Sequence, residues 1–151
     1  MPNPLPLVVL FPLILGTSLC FWAGRVDTPV RRSLVAWVAA AVTGTAFALL
    51  LAQAPAVFAG QTLLAGVEWV PAIGRDAHFR LDGLALMFGL LISGVGLLII
   101  LYAAYYLQPA DPAGKFFSQL MLFMAAMLGV ALSDNLLLLV VFWELTSISS
   151  F

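Results

Sequence analysis

Residues 136–151 read LLLLVVFWELTSISSF, an apolar run that a single carboxyl group interrupts. Glu144 lies about eight residues, or ~12 Å along a helix, past the start of this run. In a membrane-spanning helix, an acidic side chain near the centre costs about 2.5–3.5 kcal/mol, whereas each Leu, Ile, Val or Phe returns only about 0.3–0.6 kcal/mol. An ionisable group in such a position indicates a functional site, most often part of an ion or proton path.

The composition of the whole chain predicts a membrane protein. Of its 151 residues, 64% are hydrophobic and 9% are charged, and the mean hydropathy is +1.12. A typical soluble domain has roughly a quarter of its residues charged. The formal net charge of −1 offers no basic surface to neutralise phosphates, so the sequence excludes a nucleic-acid partner. Cys20 is the single cysteine, which leaves no disulfide framework and no cysteine-based metal site.

Apolar segments near the ~20 residues that a bilayer crossing requires recur along the chain. We predict an all-α integral membrane protein with about five transmembrane helices. The expected spans are Leu5 to Ala23, Ser33 to Ala52, Leu84 to Leu107, Phe116 to Leu132, and Leu136 onward. The fifth run reaches Phe151 without a flanking charge or turn signal. We therefore interpret residues 1–151 as the N-terminal part of a transmembrane domain, truncated within helix 5 and without a separate soluble domain.

The basic residues of the loops predict the orientation, since Lys and Arg accumulate in cytoplasmic loops. The first loop holds Arg25, Arg31 and Arg32, and the third holds Lys115. The second loop holds only Arg75 and Arg80. The count of four against two favours an extracytoplasmic N-terminus and places the second loop outside.

The second loop, from Gln53 to Leu81, is too long to be a simple turn. Ala77, Phe79 and Leu81 alternate with polar residues, and residues 67–70 form a second strand-like run on the other side of the turn-rich stretch 71–76. This pattern predicts a short β-hairpin between helices 2 and 3, lying on the outer membrane surface.

The hydroxyl residues after Glu144 form the other part of the candidate site. Thr146, Ser147 and Ser150 follow Glu144 within two turns, and at 100° per residue Ser147 lies about 60° around the helix from it, so we expect these hydroxyl residues to line a polar path beside a buried carboxyl group. These hydroxyls can also bond to backbone carbonyls one turn back. Asp82 precedes the third apolar run, and Asp134 and Asn135 precede the fifth; we interpret these residues as helix caps. A purely structural glutamate that pins neighbouring helices together is the alternative for Glu144.

Two stretches carry a resemblance to a known superfamily. The segment Asp82-Gly83-Leu84-Ala85-Leu86-Met87-Phe88, then Ser133-Asp134-Asn135-Leu136-Leu137 leading to Phe142-Trp143-Glu144-Leu145-Thr146-Ser147, resembles the antiporter-like membrane subunits of Mrp-type cation/proton antiporters, complex I and membrane-bound hydrogenases. The match runs from about Phe79 to the end. The Phe-Trp-Glu-Leu-Thr-Ser version is most similar to the large A-type protein of Mrp antiporters, while the hydrogenase branch differs mainly at the position of Thr146.

The resemblance implies a proton-translocating subunit of a multisubunit Na+/H+ antiporter in the bacterial inner membrane, with Glu144 as its protonatable group. In that superfamily the equivalent glutamate pairs with a buried lysine two helices further on, beyond the end of this chain. The implied partners are other membrane subunits, H+, a monovalent cation and the lipid bilayer; no cofactor or metal and no enzymatic activity are implied. The alternatives are a proton-pumping subunit of complex I or a membrane-bound hydrogenase, and a non-transporting helical scaffold.

Overall fold

A computed structural model describes residues 5–22, 29–70, 75–108 and 111–150 of the chain. Within these residues it contains five helices and one two-stranded sheet. Arg25, the turn-rich stretch of the sequence at residues 71–74, Pro109 and Phe151 lie outside the described residues. The helices are α1 (Leu5–Trp22), α2 (Pro29–Phe58), α3 (Gly83–Tyr106), α4 (Ala113–Leu132) and α5 (Leu136–Ser150).

Three of these helices are long and apolar enough to cross a membrane. They cover residues 31–58, 83–106 and 113–132, and the other two apolar helices, α1 and α5, are shorter at 18 and 15 residues. A helix rises about 1.5 Å per residue, so only the three long ones match a hydrocarbon layer of ~30 Å without further residues. The helical membrane class is therefore confirmed, and the expected number of five crossings stays a prediction.

Helix α2 is longer than the expected span, which ended at Ala52. The helix continues through Pro55 to Phe58, and the chain then turns at Gly60, whose φ of 82° is readily adopted only by glycine. The N–H of Gly60 donates to the carbonyl oxygen of Val57 at 3.0 Å. The predicted span ends before the polar residue Gln53 because it includes only the apolar segment that would cross the bilayer. A helix can extend past the hydrocarbon layer.

The β-hairpin between α2 and α3 is confirmed. Strand β1 (Leu63–Val70) pairs antiparallel with β2 (Arg75–Leu81), in a register that sets Leu63 opposite Leu81. The alternation in β2 is as predicted, since Ala77, Phe79 and Leu81 are buried while His78 and Arg80 are exposed. Strand β1 begins four residues earlier than the expected run at 67–70, because Leu63 to Gly66 find partners in β2.

Helix α4 is the centre of the bundle. It packs against α1, α3 and α5, with a smaller contact to α2. The approach of α1 is close: a Cβ added to Gly16 would meet the backbone nitrogen of Leu122 at 2.8 Å, and the Ser118 hydroxyl donates to the carbonyl oxygen of Gly16 at 2.8 Å. Small residues at such crossings let helix backbones approach in a membrane, where van der Waals packing replaces the hydrophobic effect.

Candidate functional site: the α5 glutamate and its surroundings

Helix α5 starts from an asparagine cap. The Asn135 side-chain oxygen accepts a hydrogen bond from the backbone N–H of Leu138 at 2.7 Å. Such a bond satisfies one of the N–H groups that the first turn of a helix leaves without a helical acceptor. Of the two residues expected to cap this helix, Asn135 therefore does so, whereas the Asp134 carboxylate points to Arg80 instead.

Arg80 joins the hairpin to the first residues of two helices. Its Nη2 lies 3.4 Å from Oδ2 of Asp82, and its Nε lies 3.3 Å from Oδ1 of Asp134. Asp82 also caps α3 as expected, since its Oδ1 accepts from the N–H of Ala85 at 2.9 Å. The Arg80 side chain is half exposed, so each ion pair contributes at most about 1 kcal/mol. The sequence does not predict this pair of contacts, because Asp134 lies far along the chain from Arg80 and the two meet only in the folded structure.

The hairpin also contacts the turn between α4 and α5 through its backbone. Phe79 forms an isolated antiparallel bridge with Ser133, and the N–H of Asp134 donates to the carbonyl oxygen of His78 at 2.9 Å. The rings of Phe79 and Phe142 lie 6.4 Å apart between centroids, at 51°. These contacts fix the start of α5 and therefore the direction in which its side chains point.

One face of α5 packs against α4. Leu138, Phe142 and Ser149 are the buried residues of this helix. The ring of Phe142 lies directly over Gly129 of α4, where an added Cβ would overlap the ring atoms. The spacing of these positions is helical, and Leu145, which lies between them, is partly buried against the same core.

Glu144 lies on the opposite face and is exposed on the surface of the chain. It is about 200° around the helix from Phe142. Its neighbours on this face are apolar and exposed as well: Leu137 by 48%, Val140 by 46% and Ile148 by 71%. The described residues therefore do not bury Glu144 themselves, because α5 turns its other face towards α4, and the expected burial within the membrane stays a prediction.

The hydroxyl groups near Glu144 bond to their own helix. The Thr146 hydroxyl donates to the carbonyl oxygen of Trp143 at 2.6 Å, and the Ser150 hydroxyl donates to that of Ser147 at 3.0 Å. Within the described part of the chain, Glu144 has no hydrogen-bond or ion-pair partner. Three of the hydroxyl side chains near it, at Thr146, Ser149 and Ser150, thus take the back-bonding alternative, which satisfies each group locally.

Ser150 faces a different part of the surface from Glu144. Together with Ser149 it lines an open groove of about 290 Å³ between α4 and α5, and Gln119 and Phe123 form its other wall. The structure therefore does not bring the side chains of Ser150 and Glu144 together. Ser147 is exposed about one turn after Glu144, and it is the hydroxyl residue nearest to Glu144 around the helix.

The basic side chains that the structure describes lie at the ends of the bundle. Arg31, Arg32 and Lys115 are at the end opposite the hairpin, and Arg80 belongs to the hairpin itself. His78 is exposed on the hairpin. Among the described residues, no three His, Cys, Asp or Glu side chains are grouped in a way that could hold a metal ion.

The fold and this site define a class of protein: a polytopic helical membrane subunit with a carboxyl group on an apolar helix face. Residues 69–118 match the family described as NADH-ubiquinone oxidoreductase (complex I), chain 5 N-terminus. Over 121 residues, or 80% of its length, the chain is 44% identical to the probable A/B-type protein of a K(+)/H(+) antiporter from Rhizobium meliloti (strain 1021). Over the same length it is 43% identical to the A1-type protein of a Na(+)/H(+) antiporter from Staphylococcus aureus.

Solved structures give the same result at the level of the fold. The Mrp complex from Dietzia sp. DQ12-45-1b contains a chain that matches 94% of this one with a TM-score of 0.70 and 29% identity. A chain of an archaeal respiratory membrane complex, the membrane-bound sulfane sulfur reductase, matches 98% with a TM-score of 0.76 and 23% identity, which is a likeness of fold alone.

The chain is thus similar to the antiporter-like membrane subunits, and among them to the large A-type protein of Mrp antiporters. The resemblance stated from the sequence is thereby confirmed. The matched region is a small part of these relatives: it spans 12% of the Rhizobium protein and 15% of the Staphylococcus protein.

Proposed function

We propose that the chain is part of a subunit that exchanges protons for a monovalent cation across the bacterial cell membrane, with Glu144 as a group that gains and loses the proton. The similarity to proteins named as parts of Na(+)/H(+) and K(+)/H(+) antiporters supports exchange of this kind. Na+ is the cation that we expect, with K+ as the competitor. The membrane potential supplies about 2.3 kcal/mol per charge per 100 mV for such a process.

The observation that carries the proposal is the position of Glu144 among exposed apolar side chains. A charged carboxylate on a helix face that meets hydrocarbon costs about 2.5–3.5 kcal/mol near the centre of the bilayer. That cost is avoided when the face meets protein or a water-filled cavity, and intramembrane ionisable groups do so almost always. Glu144 therefore belongs at a contact with further protein, which is consistent with other membrane subunits or further helices as partners.

Two further parts of the proposal concern topology and coupling. Arg31, Arg32 and Lys115 share one end of the bundle, and we place this end in the cytoplasm and the hairpin outside. Labelling of a cysteine at position 78 from the outer side checks this orientation. The mechanism that we propose is protonation of Glu144 coupled to the charge of a neighbouring cation or basic side chain outside this chain.

A proton-pumping subunit of a redox complex is the second candidate. The match of residues 69–118 to a family described from complex I favours it. In that case proton movement would depend on electron transfer within the same complex. Proton release driven by added Na+ or K+ in vesicles without an electron donor separates the two, because only an exchanger responds to the cation gradient alone.

The test of the proposal is transport by the complete subunit in its native complex, reconstituted in vesicles with an internal pH dye. Glu144→Gln retains the size and most hydrogen-bonding capacity of the side chain and removes its titratable proton. We expect this variant to assemble and to lose cation-driven proton flux to the level of empty vesicles. Glu144→Asp withdraws the carboxyl group by ~1 Å, and a misplacement of that size can cost about 100-fold in rate.

Asp111→Asn is the matched control, because it also removes one carboxylate, from the loop between α3 and α4, where Asp111 accepts the Gln108 N–H at 2.7 Å. We expect transport at the wild-type rate from this variant. Assembled Glu144→Gln protein that exchanges ions at the wild-type rate would show that Glu144 is a structural residue and that the scaffold alternative holds.

A further inference from the structure

A second feature of the surface lies between α2 and α3, at the end of the bundle opposite the hairpin. Here the two helices enclose a groove of about 80 Å³. One wall comprises Ser33, Trp37 and Ala40 of α2, and the other comprises Leu101, Ala104 and Tyr105 of α3. Because several of these residues are small, the groove is a narrow apolar slot that opens to the outside of the bundle.

A cationic side chain lies at the mouth of this groove. Arg32 precedes the groove residues Ala36 and Ala40 at intervals of four, so it continues the same line along α2. Gln108 continues the line of Ala104 in the same way. The Arg32 guanidinium donates a hydrogen bond from Nη2 to the Gln108 carbonyl oxygen, and this contact brings the two walls together at the open end.

The charges at this end are mainly positive. Among the charged side chains that the structure describes there, Arg31, Arg32 and Lys115 are cations and Asp111 is the acid. The guanidinium group is planar and suits the oxygens of a phosphate. An anionic group that approaches this end of the groove would therefore be attracted.

Aromatic side chains flank the same opening. Trp37 is 61% exposed and Tyr105 is 85% exposed, and the rings of Tyr102 and Tyr106 in the last turns of α3 stack with their centroids 5.0 Å apart. Trp and Tyr with this exposure are typical of the level at which lipid headgroups meet the hydrocarbon layer. The groove thus extends from headgroup level into the hydrocarbon layer, with its cation at the headgroup end.

We propose that this groove binds an anionic phospholipid, with one acyl chain in the slot between Ala40 and Ala104 and the phosphate near Arg32. The occupant is a lipid because the apolar slot, the aromatic pair and the cation follow one another in the order of acyl chain, interface and headgroup. This site is independent of Glu144, which lies on α5.

The test uses Trp37 as a fluorescent reporter. The complete polypeptide, with its other tryptophans replaced by Phe, is reconstituted in phosphatidylcholine vesicles that contain a fixed fraction of brominated lipid, which quenches tryptophan on contact. We expect brominated phosphatidylglycerol to quench Trp37 more strongly than brominated phosphatidylcholine. Ala104→Leu fills the slot at an exposed position and should reduce the quenching by both lipids.

Arg32→Gln should reduce the preference for phosphatidylglycerol about fivefold, since a cation near an anionic headgroup contributes about 1 kcal/mol. Lys115→Gln is the matched control, because it removes one cation from the same end of the bundle, away from the groove, and should retain the preference. Equal quenching by the two lipids, or no quenching by either, would overturn the proposal. An equal loss in Arg32→Gln and Lys115→Gln would also overturn it, since that result means diffuse attraction to the membrane surface.

Discussion

At the scale of the residue, Glu144 could be found from the sequence, while its environment could not. A lone carboxyl group in an apolar run is visible in the order of the residues. The direction in which it points depends on which face of α5 packs against α4, and that face is set by the contact of Phe142 with Gly129. The same contact turns Glu144 outward, which the sequence analysis had not expected.

The two acidic residues that we interpreted as caps show the same limit. Asp82 caps α3 because its side chain directly precedes the first turn. Asp134 and Asn135 are both suitable caps by residue type, and only the folded position of Arg80 decides between them. A tertiary ion pair between distant residues leaves no local signal in a single sequence.

Alanine substitutions at these two neighbours should therefore differ in their effect on stability. We expect Asn135→Ala to lower the free energy of unfolding of the complete polypeptide in mixed micelles by about 1 kcal/mol, the usual cost of losing an N-cap. Asp134→Ala removes a partly exposed ion pair and should cost less, between about 0 and 1 kcal/mol. Amide hydrogen exchange at Leu138, whose N–H the cap binds, locates the effect. A larger cost for Asp134→Ala would show that Asp134 is the main anchor of α5.

At the scale of the element, the alternation of apolar and polar residues and the length of the apolar runs were sufficient to predict most of the helices and strands. The period of two in residues 77–81 predicted β2, and the partner strand followed from the turn-rich stretch before it. The ends of the helices were predicted less accurately. The length of an apolar run indicates how much of a helix lies in the bilayer, but α2 continues past that run and through Pro55. Glycines in the helices differ in their surroundings, since Gly89 and Gly129 are buried at helix crossings whereas Gly44 has open space around it.

This difference between glycines gives a prediction about helix packing. Gly129→Ala places a methyl group against the Phe142 ring, and such overpacking typically costs about 1–3 kcal/mol. Gly44→Ala is the matched control, since no atom beyond the adjoining backbone of its own helix lies within 4 Å of its added Cβ. Thermal unfolding of the complete polypeptide in detergent should show a clear loss for Gly129→Ala and little change for Gly44→Ala. Equal stability of the two variants would mean that α5 is not held on α4 by this contact.

At the scale of the whole molecule, α4 is the most central of the helices that the structure describes, and several other helices have open faces. Half of the residues in the apolar stretch of α4 are buried, whereas the buried shares of the corresponding stretches of α2 and α3 are 28% and 33%. The outer faces of α2, α3 and α5 must therefore meet lipid or further protein. We infer that the groove between α2 and α3 meets lipid and that the α5 face with Glu144 meets further protein. A cation at the end of the bundle suits lipid headgroups, whereas a carboxylate on an apolar face is best accommodated by protein.

The central claim is that Glu144 changes its protonation state as the complete protein exchanges ions. Infrared difference spectroscopy of the reconstituted complex measures this directly, because a protonated carboxyl group has a carbonyl band that the carboxylate lacks. We predict that addition of Na+ to the wild-type protein reduces such a band, and that this change is missing in Glu144→Gln while Asp111→Asn retains it. The same change in wild-type and Glu144→Gln protein would contradict the account, since the proton would then come from another group.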